Sequence, residues 1–151
     1  MVMTLIDTHA HLDHFENLDQ ALKNAVEAGV EAIVAVSMDL NSCRKNLEIK
    51  KKTRQPKIAL GMGMHPSEAN RQDVGACLEL IRANAKELSA VGEIGLDFWY
   101  KWVRKDEAKK SEQREVFRAF LEAAKELDLP AVIHSRGVWR ECFETTQSAG
   151  V

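Results

Sequence analysis

Two histidines near the N-terminus, His9 and His11, are separated by one residue and directly follow a short apolar run that contains Leu5 and Ile6. In an extended segment, residues i and i+2 point to the same side. Two neutral imidazoles on one side of a strand end are suited to bind one metal ion. The spacing therefore predicts a metal site, provided that later strands bring further ligands to the same place.

Later apolar runs carry further residues of this kind. His65 follows the third run, within GMHP, and His134 closes the fifth, within VIHSR. The fourth run carries Glu93 and Asp97, within GEIGLD. Because barrel enzymes build their sites at the C-terminal ends of parallel strands, we expect these side chains to gather there.

Imidazoles and a carboxylate together suit zinc, manganese or iron. A carboxylate also bridges two ions about 3.5–4 Å apart in two-metal hydrolytic sites, where a shared water becomes the nucleophile. Glu93 is the predicted bridge because it is central in the strand order, and Gly92 and Gly95 beside it allow a close approach of backbone or ligand. The alternative is structural, with Glu93 in a buried salt bridge and the histidines in the core or on the surface.

Other polar residues receive supporting or peripheral roles. Asp97 is expected either to cap the segment after it or to orient a metal ligand, and Asp7 to orient a ligand or to be structural. Arg136 lies beside His134, and its guanidinium matches the geometry of phosphate oxygens. His14 lies beyond the first strand and is read as an ordinary surface residue.

The elements that must position these residues alternate between buried-strand runs and amphipathic segments. Five such pairs indicate parallel βα units, the start of either a doubly wound sheet or a TIM-type (β/α)8 barrel, and the polar strand ends favour the barrel. We predict one domain over 1–151. The predicted strands are 5–7, 30–36, 57–63, 89–97 and 130–135, and the predicted helices are 18–29, 39–54, 73–88, 111–128 and 138–150.

Composition bounds the possible functions. The 151 residues are 45% hydrophobic and carry a net charge of −2, so any contact with a polyanion has to be local. Three cysteines without a CxxC pair indicate a reducing compartment. We find neither a signal-like N-terminus nor an apolar run approaching the roughly 20 residues that span a bilayer, and expect a cytoplasmic protein without membrane contact.

The segment 98–110, FWYKWVRKDEAKK, combines four aromatic with five basic residues. Interleaved rings and cations suit a nucleic-acid strand, because rings stack on bases and cations meet phosphates. The alternative is a loop that packs its rings on the domain and leaves its lysines in water. The sequence leaves both open.

Five motifs, in order, resemble the TatD-type metal-dependent hydrolases, a branch of the amidohydrolase-like barrels that includes deoxyribonucleases: DTHAHLD, GMHP, VGEIGLD, QREVF and LPAVIHSR. The resemblance implies that His9 and His11 bind one divalent ion, that His134 binds a second and that Glu93 bridges both. It places His65 near the scissile phosphate and implies hydrolysis of phosphodiester bonds, with DNA as the usual substrate. Zinc, magnesium and manganese are the candidate ions.

One departure from the family pattern concerns its later strands. The family adds a metal-binding His and a late-strand Asp that have no match here. Five of eight units in a fold of roughly 250 residues indicate the N-terminal part of a longer barrel, with open edges that bind the missing half or a second copy. The rival functions are hydrolysis of a small ester, lactone or amide, and a non-catalytic metal-binding module.

Overall fold

The computed structural model describes residues 4–151 as five parallel β-strands that alternate with five α-helices. The strands are β1 (Leu5–Ala10), β2 (Val30–Val36), β3 (Lys57–Met62), β4 (Ala90–Asp97) and β5 (Ala131–Arg136). The helices are α1 (Leu18–Glu27), α2 (Leu40–Lys52), α3 (Arg71–Ala83), α4 (Glu107–Glu126) and α5 (Trp139–Ala149), with short 3-10 turns at Leu12–His14 and Ala85–Glu87.

The strand order distinguishes the two architectures that the sequence left open. Each strand pairs in parallel with the next one along the chain, giving the order β1-β2-β3-β4-β5. In a doubly wound sheet the order in which successive strands are added reverses at a switch point, whereas in a barrel it does not. Crossovers that are right-handed and always step the same way put all helices on one face. The predicted TIM-type architecture is confirmed: the described chain is a half-barrel of five βα units.

The sheet is strongly curled. Adjacent strands lie about 4.8 Å apart, so β1 and β4 would be about 14 Å apart in a flat sheet. Nevertheless Nε2 of His9 on β1 lies 3.1 Å from Oε2 of Glu93 on β4. Curling brings the inner faces of distant strands together, which makes a shared site possible.

The core lies between the outer face of the sheet and the helices. Helix α4 contributes the apolar stripe expected from its sequence, and a fully buried side chain of this size contributes about 1.5–3 kcal/mol. The buried members of the stripe are Val116, Phe117, Phe120, Leu121 and Ala124.

Helix α4 begins at Glu107, four residues before the predicted start at Ser111, so that prediction was wrong. The cause is Asp106, whose side chain accepts hydrogen bonds from the backbone N–H groups of Ala108 and Lys109. An N-cap of this kind satisfies donors that the first turn would otherwise leave unpaired. The loop after β4 is correspondingly shorter, ending at Asp106.

Helix α3 also differs from its predicted range of 73–88. It begins at Arg71, because Asn70 caps it by accepting from the backbone N–H of Asp73, and it ends at Ala83. The chain then tightens into a 3-10 turn before β4. A cap outside the apolar periodicity therefore decides where the helix begins.

The outer strands keep apolar side chains in contact with water. Ile6 on β1 is 59% exposed and Ile133 on β5 is 38% exposed. None of the helices within residues 4–151 has the length and apolarity that crossing a bilayer requires.

Gly95 lets β4 and β5 approach closely beside the inner face. Its φ is +146°, and a Cβ built there would lie 2.0 Å from the backbone oxygen of His134. Because that neighbour is backbone, it cannot move without shifting β5. Glycine is therefore a structural requirement at this position.

Replacing Gly95 by Ala should lower the free energy of unfolding by about 3 kcal/mol, the upper range for overpacking. The matched control is Gly75→Ala in α3, where a Cβ meets nothing within 4 Å; it should stabilise by about 1 kcal/mol because alanine favours helix. Urea denaturation measures both. Equal stability of the two variants would contradict the close approach of β4 and β5.

Candidate metal centre

Glu93 is the centre of the site. It is the fourth of the eight residues of β4 and only 6% exposed. It lies inside the strand, which continues to Asp97 as predicted. His134 is likewise inside β5, the fourth of its six residues. Both side chains point to the inner face of the sheet. Because the sheet is curled, this face is concave, and side chains in the middle of different strands meet there.

One oxygen of Glu93 faces the two N-terminal histidines. Oε2 lies 3.1 Å from Nε2 of His9 and 3.6 Å from Nε2 of His11. Among residues 4–151, Nδ1 of His11 is buried and has no hydrogen-bond partner. These three side chains can offer ligand atoms within 4.8 Å of one another.

The other oxygen of Glu93 faces a different strand. Oε1 lies 3.1 Å from Nδ1 of His134. Nε2 of His134 lies 3.0 Å from Oδ2 of Asp97, a fully buried carboxylate. In the neutral form of His134, Asp97 can accept from the Nε2–H group, which fixes the ring and would leave Nδ1 to bind an ion in place of its contact with Glu93.

Burial and charge act in opposite directions on these groups. Burial lowers the pKa of His11, which keeps its ring neutral. Burial alone would raise the pKa of Glu93, but the hydrogen bond with His134 and the surrounding imidazoles outweigh it, so the pKa of Glu93 is lowered. Burial also opposes charge on His134, yet Glu93 and Asp97 raise its pKa overall. The site therefore favours a carboxylate anion with positive charge beside it.

His65 has a different environment from the other histidines. Its Nδ1 lies 3.0 Å from the backbone nitrogen of Ser67, which can only donate. Burial and the neighbouring His134 lower the pKa of His65 to about 4, so the ring is neutral and carries its proton on Nε2. Nε2 lies 3.1 Å from Nδ1 of His134. His65 is thus placed as a hydrogen-bond donor, although its position also fits a group of possible ligands with Glu93 and His134.

Asp97 both caps the segment that follows it and contacts a proposed metal ligand, the two roles that the sequence left open. Oδ1 accepts from the backbone N–H of Trp99, and Oδ2 faces His134. Oδ2 also accepts from Nε of Arg136 at 2.7 Å. The Arg136 guanidinium lies 4.4 Å from the ring centre of Tyr100. The predicted phosphate-binding arginine is therefore held at the rim of the site by two contacts.

Asp7 and His14 lie outside the cluster around Glu93. Oδ1 of Asp7 accepts from the backbone N–H of His9 at 3.0 Å, so its contact is with the backbone of β1 and not with an imidazole. The side chain of His14 is 58% exposed and lies 3.5 Å from Asp13. Its ring stacks on that of His11.

Gln113 is a supporting residue that sequence reasoning missed. It is 2% exposed, its Oε1 accepts from the backbone N–H of Asp97, and its Nε2 donates to the carbonyl of Pro66. It therefore ties the end of β4 to the loop that carries His65. The available signal was its position, three residues before Val116 on the apolar stripe of α4, where a polar residue needs buried partners.

Ser67, whose amide fixes the ring of His65, was also missed. It carries no signal in the sequence apart from its position in the loop after GMHP.

The donor set fits a divalent metal ion. Neutral imidazoles and one carboxylate are ligands for zinc and manganese. The ring of His11 has no strong contact with the protein. Its buried Nδ1 has no partner among the described residues, and its Nε2 lies 3.6 Å from Glu93, which is too long for a good hydrogen bond. A bound ion would supply a strong contact.

Comparison with known proteins identifies a family of metal-dependent hydrolases. Residues 6–151 match the family model described as TatD related DNase. The chain is 35% identical, over 92% of its length, to an uncharacterised metal-dependent hydrolase of Methanocaldococcus jannaschii, and covers 53% of that protein. It is 32% identical, over 100% of its length, to a putative deoxyribonuclease, tatdn3, of Danio rerio, and covers 60% of it.

Solved structures show the same architecture. A TatD homolog from Escherichia coli superposes with a TM-score of 0.83 at 25% identity, over 99% of this chain and 57% of that one. A TatD family hydrolase from Entamoeba histolytica gives a TM-score of 0.83 at 24% identity and shares the fold. The chain thus spans little more than half the length of these proteins.

Zinc or manganese ions should raise the melting temperature of the full-length protein. An ion at 100 times its Kd stabilises by about 2.7 kcal/mol. The variant His9→Ala should lose most of this gain, whereas His14→Ala, the matched control, should keep it. Differential scanning calorimetry with and without metal measures the shift. An undiminished metal-dependent shift in His9→Ala would exclude His9 as a ligand.

Replacing Gln113 by Leu should destabilise the fold by about 2 kcal/mol, because it leaves the amide of Asp97 and the carbonyl of Pro66 buried without partners. Gln147→Leu, at an exposed position of α5, is the control and should change stability by less than about 0.5 kcal/mol. Chemical denaturation compares them. If Gln113→Leu were as stable as the wild type, Gln113 would not be the tie between β4 and the His65 loop.

Proposed function

The chain belongs to the family of TatD-related DNases, and from this premise we propose that the full-length protein hydrolyses phosphodiester bonds of DNA with two divalent ions held around Glu93. One observation carries the proposal. The two oxygens of a single buried carboxylate face separate sets of imidazoles, His9 and His11 on one side and His134 on the other. A single-ion site needs only one of these sets.

Each residue has a distinct task in the proposed reaction. His9 and His11 would hold one ion, His134 would hold the other, and Glu93 would contact both. When bound, such ions lower the pKa of a water molecule toward neutrality and offset the charge of the phosphate. Asp97 keeps Nδ1 of His134 directed at the site.

Two further residues are proposed to contact the substrate. His65 carries a proton on Nε2, beside His134, and is suited to donate to a phosphate oxygen. Arg136 is proposed to bind the phosphate from the rim, where Asp97 and Tyr100 limit its motion. A guanidinium restrained in this way loses less conformational entropy on binding.

The ligand chemistry favours some ions over others. Magnesium prefers oxygen ligands and keeps several waters, whereas imidazole suits zinc and manganese. Three of the four proposed ligands, His9, His11 and His134, are imidazoles. We therefore place zinc and manganese ahead of magnesium.

DNA is proposed as the substrate on two grounds. Similar proteins are named deoxyribonucleases, and the loop after β4 offers exposed rings and cations close to the site. The three cysteines are free and buried, which supports a reducing compartment such as the cytoplasm.

The outer strands are proposed to carry an interface. Leu5 and Ile6 on β1 and Ile133 on β5 are apolar and exposed. Exposed strand edges with apolar side chains favour pairing with further strands. Either the remaining βα units of a full barrel or a second copy of the chain would cover them.

Replacing Glu93 by Gln in the full-length protein should reduce metal-dependent cleavage of single-stranded DNA by more than about a hundredfold. Loss of a residue that only supports a metal ligand costs up to about a hundredfold, and loss of a ligand itself should cost more. Gln has nearly the same size but lacks the charge that offsets two ions. The control Glu79→Gln, at an exposed position of α3, should cleave normally.

Small amide and lactone substrates belong in the same assay. Cleavage of DNA that persists in Glu93→Gln would refute the proposed role of this residue. Turnover of lactones or amides by the wild type, without cleavage of DNA, would replace the substrate proposed here by the rival class.

A further inference from the structure

The loop between β4 and α4, residues 98–106, is anchored on the domain and presents large rings to water. It is anchored by Val103, which is fully buried, and by a hydrogen bond from the backbone N–H of Phe98 to the carbonyl of Arg136. Nevertheless Trp99 is 64% exposed and Trp102 is 50% exposed. Indole rings that remain exposed on an anchored loop indicate a binding surface.

This loop is joined directly to the metal centre. The backbone N–H of Trp99 donates to Oδ1 of Asp97, the same carboxylate that faces His134. Arg136 connects the other side, since it donates to Asp97 and lies over the ring of Tyr100. The Cα atom of Trp99 is two residues from that of Asp97, a distance of at most about 7.6 Å.

The rings of the loop already show the geometry of a stack. Tyr100 and Trp102 are nearly parallel, with an interplanar angle of 20° and ring centres 5.3 Å apart. Trp99 lies over Gly137, where an added Cβ would come within 3.6 Å of its ring. The indole therefore lies beside the start of the segment that follows β5.

The charges of the loop favour a polyanion as its occupant. Lys101 lies between Tyr100 and Trp102, Arg104 and Lys105 follow these rings, and all three cations are exposed, although the whole chain has a net charge of −2. Protein interfaces are depleted of lysine. Rings interleaved with cations are typical of surfaces that bind single-stranded nucleic acid.

We propose that this loop is a base-stacking platform for single-stranded nucleic acid, with Trp99 stacking on the base that adjoins the scissile phosphate and the loop cations meeting flanking phosphates. The inference rests on the proposed function and specifies its substrate. Stacking is tolerant of sequence, because every base has a π-face, so the platform selects unpaired strands and not particular bases. Bases in a duplex are already stacked on their neighbours and cannot occupy it.

The test uses the full-length protein with its metal and two short DNA strands. One strand is normal, and the other lacks the base next to the cleaved bond. With Trp99→Ala, the KM for the normal strand should rise about tenfold with little change in kcat, as expected for the loss of one stacked base. The wild type should show the same rise on the abasic strand, where the substitution should add nothing.

Two variants separate stacking from structural damage. Trp99→Phe should restore most of the affinity, because it restores a ring, and a thermal melt should show that all variants fold. Phe143→Ala removes a ring of α5 that is 62% exposed, comparable with Trp99, and should leave KM unchanged. If Trp99→Ala itself fails to fold, Trp102→Ala replaces it, with a smaller rise in KM expected.

The outcomes distinguish this inference from the proposed function. Cleavage with the same KM for both strands and for Trp99→Ala would overturn the platform and leave the nuclease intact. If the wild type cleaves neither strand, the proposed function fails, and fluorescence anisotropy of a labelled strand then tests the platform alone. Equal binding by the wild type and Trp99→Ala in that measurement would overturn it.

Discussion

The structure depends on the burial of one charged carboxylate, that of Glu93, among imidazoles from other strands. An isolated buried carboxylate is costly, and it is tolerated only where hydrogen bonds or positive charge offset the loss of water. Here His9 and His11 face one oxygen, and His134 faces the other. The lowered pKa of Glu93 shows that these neighbours outweigh its burial. The same electrostatic arrangement makes the site suited to divalent cations.

The fold brings these imidazoles and Glu93 together. His9 and Glu93 belong to strands three steps apart, and only a curled sheet brings their side chains into contact. Close approach of β4 and β5 at Gly95 places His134 on the other side of the carboxylate. Gln113 then fixes the end of β4 from outside the sheet. Strand geometry therefore positions His9, Glu93 and His134, while His11 lies just beyond the end of β1.

Much of this could be predicted from the sequence because hydrophobic runs and polar strand ends are local signals. They identified the alternation of strands and helices, and they selected the residues that the structure brings together around Glu93. The start of α4 was missed because one side chain, Asp106, caps it ahead of the apolar stripe. Gln113 was missed because its partners, the backbone of Asp97 and of Pro66, are distant in sequence. The tautomer of His65 depends on a loop conformation that no spacing reveals.

Electron paramagnetic resonance of the full-length protein loaded with manganese would test whether Glu93 bridges two ions, as proposed. Bridged ions about 3.5–4 Å apart are magnetically coupled. We expect two bound manganese ions per chain and the spectrum of a coupled pair. One ion per chain with the spectrum of an isolated ion would contradict it.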